Sequence, residues 1–122
     1  MPDSSDNVKR LPVEFYRSKK GIEPVRDWLK SLDNLDKTKI GQAVKMLEYG
    51  WPVGMPTCRP LRNGLYEVRT TLPSNREARI FFCIHNERMV LLHGIIKKTQ
   101  KTPQRDLTIA RNRQSLVRQI ND

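Results

Sequence analysis

The sequence predicts a single small α+β domain: a curved, mostly antiparallel sheet packed on a helical hairpin, with a C-terminal helix. Three observations predict it. Two apolar stripes at helical spacing lie side by side between residues 24 and 50. Three β-rich runs separated by turn signals then follow with no helix between them. The chain ends in an arginine-rich segment with a narrow apolar stripe. A length of 122 residues fits one domain, and such a chain buries roughly two-thirds of its unfolded surface.

In order, residues 1–11 read as a flexible leader and 12–122 as the domain. Pro12 to Arg17 alternates Val13 and Phe15 against Glu14 and Tyr16, the pattern of a strand. Lys19-Lys20-Gly21 is a turn. Pro24 suits a first helical position. Val25, Trp28, Leu29 and Leu32 form one stripe, broken at Asp33-Asn34. A second helix begins near Asp36, repeats the spacing at Ile40, Ala43, Val44 and Leu47, and ends at Gly50. Residues 51–56 are loop. Strands are expected at Leu65–Thr71, Ala78–His85 and Met89–Ile96, joined by turns at Pro73-Ser74-Asn75 and Asn86-Glu87. Thr102-Pro103 caps and opens the last helix, with Ile109, Ala110, Leu116, Val117 and Ile120 as its stripe.

Several classes are excluded. No apolar run approaches the ~20 residues a membrane helix needs, and Met1 to Arg10 has no secretory pattern. Cys58 and Cys83 stand far apart, and the chain has only two histidines, so neither a disulfide scaffold nor a structural zinc site is expected. Each cysteine reads as a small buried hydrophobe in a reduced, cytoplasmic protein. No cofactor is implied.

The formal charge is +10. Residues 1–57 contribute +2 of it and residues 58–122 contribute +8. So one-sided a charge, dominated by arginine, points to a polyanion, because fixed cations displace counterions from phosphates. A merely solubilising surface is the plain alternative.

Alternation assigns faces. Tyr66, Val68, Ile80, Phe82 and Ile84 share the side the helices are expected to cover. Arg69 and Arg79 then lie together on an uncovered, concave basic face. On the third strand His93, Ile95 and Lys97 share one side, and Leu92, Gly94, Ile96 and Lys98 the other. The pattern leaves open which lysine meets the arginines.

The run Pro60 to Arg69 (PLRNGLYEVR) resembles the L-x-x-G-L-Y-E-L-R segment of HigB-like toxins of the RelE superfamily. Arg79-Ile80-Phe81-Phe82 is similar to that family's R-I-F-Y strand, and Leu91 to Pro103 to its L-L-h-x-F-x-K-K-x-x-k-t-P segment, with Ile95 in place of the usual Phe. Ala110 and Arg111 sit where the closing helix has its alanine. The loop from Thr71 to Glu77 carries Pro73 instead of the commoner Gly-rich turn. The resemblance covers about residues 12–118. It implies a RelE-like fold and a small toxin of a type II toxin–antitoxin pair that cleaves mRNA in the ribosomal decoding site. It also implies a cognate antitoxin, of helix-turn-helix type, which masks the basic surface and carries the complex to operator DNA.

Metal-independent RNA cleavage needs an activated 2′-OH, a stabilised phosphorane and a protonated leaving oxygen. Arg69 and Arg79 suit the phosphorane through their forks; phosphate anchoring or pairing with Glu67 is the plain alternative. Lys97 and Lys98 share that role, and one crowded by cations could accept a proton. His93 is a candidate acid or base, against a packed core histidine. Glu67 orients Arg69 or acts as base. Arg62, Lys101 and Arg111 are expected RNA contacts. The rival readings are a non-catalytic basic RNA- or DNA-binding module and a pure interaction protein.

Overall fold

The computed structural model describes residues 9–54, 57–98 and 103–119. Eight elements follow one another: β1 (Val13–Phe15), α1 (Pro24–Ser31), α2 (Asn34–Gly50), β2 (Cys58–Pro60), β3 (Leu65–Leu72), β4 (Arg76–His85), β5 (Arg88–Lys97) and α3 (Gln104–Gln119). The sheet runs β1-β5-β4-β3-β2. Only the β1–β5 pair is parallel, so the mostly antiparallel α+β expectation holds. Within the leader expected over 1–11, the backbone N–H groups of Arg10 and Leu11 donate to the Glu48 carbonyl, and Leu11 is buried. Residues 1–8 lie outside the described residues.

The helical hairpin covers one sheet face. Pro24 opens α1, and Asp33 caps α2 by accepting from the Asp36 N–H at 2.9 Å. Val25, Ile40 and Leu47 pack there against Val68, Ile80, Phe82 and Leu91. Trp51 and Tyr66 join this core through edge and stacked contacts with Phe82. Asp36 itself is buried and takes a bidentate pair from Arg76 at 2.8 and 3.1 Å, tying the start of α2 to the β3–β4 hairpin.

Four expectations need correction. The opposite sheet face is not open: α3 packs Leu107, Ala110 and Val117 over Leu65, Phe81, Cys83, Val90 and Leu92. Alternation along a strand states which residues share a side, not how many helices cover it. Ile84 belongs to neither core and is 38% exposed, since it lies at the strand end beside the Asn86-Glu87 turn. Leu116 is exposed, because α3 turns the row Leu107, Ala110, Gln114 and Val117 inward instead. Finally, the β4–β5 register shifts between Phe81 and Phe82. Phe81 faces His93 and Phe82 faces Leu91, which leaves Leu92 as an extra residue that joins the α3-side core. Such a bulge breaks the strict period of two. The short edge strand β2 had no pattern of its own in three residues.

Cys58 and Cys83 are free and buried in opposite cores, where burial pushes both thiols up to about 11. No helix of the described residues is long and apolar enough to cross a membrane.

Candidate functional site

The α3-side face of the sheet carries a row of alternating charges toward the Leu72 end of β3. Arg69 stands opposite Arg79, and Glu77 opposite Lys97. Glu67 completes the group. Arg69 Nε donates to Glu67 Oε1 at 2.9 Å. Arg79 Nε donates to Glu77 Oε1 at 2.8 Å, and its Nη1 lies 3.7 Å from Glu67 Oε2. Two arginines therefore share two carboxylates, with Lys97 beside them.

Burial separates their roles. Arg79 is 1% exposed and Glu67 fully buried, so the expected pair of arginines on an open surface is corrected to one buried and one reachable. Arg69 keeps 21% of its side chain exposed. It lines a shallow cleft of about 150 Å³ with Thr57, Thr71 and Glu77. Among the described residues its side-chain hydrogen bond is made by Nε, and none takes its terminal nitrogens.

The structure resolves the choice between the two lysines. Lys97 shares the face of Arg79, while Lys98 is exposed just beyond the end of β5. Among the described residues, Lys97 Nζ is the one buried side-chain polar atom without a hydrogen-bond partner. Burial, and then the Arg79 charge, hold its pKa below the ordinary lysine range, against the opposing pull of Glu67, Asp106 and Glu77.

His93 sits two positions along β5 from Ile95, which faces Arg79. Its Nε2 lies 2.7 Å from Asp106 Oδ1, in the first turn of α3, and its ring stacks on Phe81. Arg113, which offers only donors, approaches Nδ1 at 3.4 Å and donates to the Leu92 carbonyl at 2.8 Å. That arrangement makes Nδ1 the acceptor and Nε2–H the donor to Asp106. Asp106 also acts on Lys97, so the histidine pair and the cation cluster are electrostatically linked.

The remaining expected contacts lie elsewhere. Arg111 is committed to the turn before β3, donating to the carbonyls of Leu61 and Arg62. Arg62 is exposed at that turn with a φ of 79°. Both stand at the Leu65 end of β3, away from Arg69. Lys101 lies outside the described residues. Glu77, Asp106 and Arg113 belong to the site region and were not singled out by sequence. Each acts through a partner on another element or strand position, which composition does not reveal. Among the described residues no group of three or more His, Cys, Asp or Glu is placed to hold a metal ion.

Fold and site define a small, strongly basic α+β protein with an arginine–carboxylate cluster at one end of its sheet. Residues 27–115 match the family described as "Phage derived protein Gp49-like (DUF891)", and the chain belongs to that family. The family is related to toxin–antitoxin systems, its members are commonly the toxin, and it is associated with toxin RNase activity in general. A search of curated proteins finds no match.

Proposed function

We propose that this chain is the toxin of a type II toxin–antitoxin pair of the HigB/RelE kind and cleaves mRNA on the ribosome. One observation carries the reading: Arg69 and Lys97 sit on one sheet face with hydrogen-bonding capacity that the described residues do not consume. Arg69 meets the scissile phosphate and stabilises the charge of the phosphorane. Lys97 Nζ is buried beside Arg79, so the neutral fraction that its lowered pKa provides takes the 2′-OH proton through one bridging water. Arg79 touches no phosphate from its buried place; it positions Glu67 and Glu77, and through Glu67 it positions Arg69. Both ring nitrogens of His93 are engaged, Nε2–H by Asp106 and Nδ1 by Arg113, so His93 holds α3 against the site and the leaving oxygen takes its proton from water. Lys98 is an exposed phosphate contact. The neutralising partner is an antitoxin, which also brings the complex to operator DNA.

The burial of Arg79 favours a second reading, a basic module that binds RNA or DNA without cleaving it, since the site then presents a single reachable guanidinium. Single-turnover cleavage of mRNA on programmed ribosomes at saturating protein separates the two. Removing one preorganised donor lowers the rate by about 10²–10³-fold, so Arg69→Ala is expected to do so and to abolish growth arrest on induction at unchanged protein level. Chelation by EDTA is expected to leave the cleavage step intact on ribosomes held together by other means. Binding to ribosomes with no cleavage by the wild type supports the second reading.

A further inference from the structure

A groove of about 790 Å³ runs between the β1–α1 connection and the last turns of α3. Ile22 and Leu116 line it and are 52% and 41% exposed, two of the large apolar side chains this fold leaves in water. Arg17, Lys19 and Lys20 rim it, all exposed. Tyr16 forms its floor and is itself held under the Arg113 guanidinium at 5.6 Å. The connection is tightly built. Ser18 N–H donates to the Ile22 carbonyl, Gly21 N–H to the Ser18 carbonyl, and Ile22 N–H to Ser18 Oγ. Gly21 adopts a φ of 86°, which favours glycine. This locked turn holds Ile22 outward, 52% exposed.

The geometry points to this groove as the docking site of an acidic amphipathic helix from a partner protein. Ile22 and Leu116 ask for apolar side chains on one helical stripe. The rim of Arg17, Lys19 and Lys20 asks for carboxylates flanking that stripe. Nucleic acid fits the rim but offers no aliphatic side chain for the two apolar anchors, which is why the occupant is a protein. Naming that partner as the antitoxin rests on the toxin reading above. The groove lies apart from the cation cluster. Tyr16 N–H donates to the Leu91 carbonyl, and Leu91 stands six positions before Lys97 on β5, about 20 Å along the strand. Among the described residues, none lines both clefts. A partner seated here is held without taking its anchorage from the proposed catalytic residues.

The test uses the full chain and a displayed library of random 20-residue peptides as the probe. Enriched peptides are expected to be acidic, with apolar residues at i, i+3, i+4 and i+7. Their affinity is expected to fall about tenfold or more in Ile22→Ser and in Leu116→Ser, the loss of one buried aliphatic anchor. Lys19→Glu/Lys20→Glu is expected to weaken binding and Arg59→Glu, an exposed charge change on β2, to leave it within about twofold. Unaltered thermal melts of the serine variants confirm that they fold. The proposal is overturned by a library with no enriched peptide, by peptides that bind both serine variants as well as wild type, or by full displacement with a single-stranded RNA of 20 nucleotides. Growth arrest by the chain alone, scored in parallel, reads the toxin assignment independently, and the groove variants are expected to retain it.

Discussion

Arg79 Nε donates to Glu77 Oε1 at 2.8 Å from a side chain that is only 1% exposed, while the same guanidinium reaches toward the fully buried Glu67. A cation so placed serves the fold before it serves any ligand. Removing it leaves Glu67 as a buried carboxylate with one fewer partner. Breaking a buried pair from one side costs about 3–5 kcal/mol. Arg79→Ala is therefore expected to lose stability on that scale in urea unfolding. Arg69→Ala, at the more exposed end of the network, is expected to lose less, about 1.5 kcal/mol. Equal losses would place the two arginines in equivalent environments, against the burial described above. Activity assays on Arg79 variants need matched folded protein for the same reason.

Lys97 gives the protein a pH signature. Its folded-state pKa is lowered, by burial first and the Arg79 charge second. Below that pKa both folded and unfolded chains carry the proton, and the folded one holds an unfavourable charge. Between the lowered value and the ordinary lysine range, the unfolded chain binds more protons than the folded chain. Stability contributed by this site therefore rises with pH through that alkaline window. Lys97→Met is expected to stabilise the protein most at neutral pH, with the advantage shrinking as the window is crossed. Urea midpoints of both proteins from neutral to alkaline pH measure it. A constant difference would show that Lys97 titrates normally.

The Trp28 indole lies directly on Gly94. A Cβ added at Gly94 would sit 2.4 Å from Trp28 Cζ3 and 2.6 Å from Cε3. Overpacking of this kind costs about 1–3 kcal/mol, the loss expected for Gly94→Ala. Trp28→Leu removes the ring, so the double variant is expected to lose less than the sum of the two single changes, with a coupling of at least about 0.5 kcal/mol. Strict additivity would mean that α1 shifts away from β5 instead of being held against it.

Arg111 is expected to behave as a structural clamp. Its guanidinium holds the Leu61 and Arg62 carbonyls, beside Gln114 Nε2 on the Asn63 carbonyl at 2.8 Å. Arg111→Ala is expected to cost about 1–2 kcal/mol of stability. The slope of RNA affinity against salt should stay unchanged, whereas loss of a true phosphate contact lowers that slope by about one. A changed slope at unaltered stability would return Arg111 to the RNA-contact role.

Much of this molecule follows from local sequence. The stripe from Val25 to Leu32 and the one from Ile40 to Leu47 make the hairpin, because helical spacing alone puts those side chains on one face. Asn86-Glu87 makes a tight turn, with both residues at positive φ. The pairing of Glu67 with Arg69 was legible too, since residues two apart on a strand share a side. The tertiary structure decided the rest. That α3 covers the second face depends on where a helix thirty residues away comes to rest. The extra residue at Leu92 is chosen by packing on both faces at once, and it overrides the strand's own period. The same long-range covering buries Arg79 while leaving Arg69 at the edge of a cleft. It also selects Lys97 over its neighbour Lys98. Periodicity determines which residues can face one another, but burial depends on what the rest of the chain brings to that face.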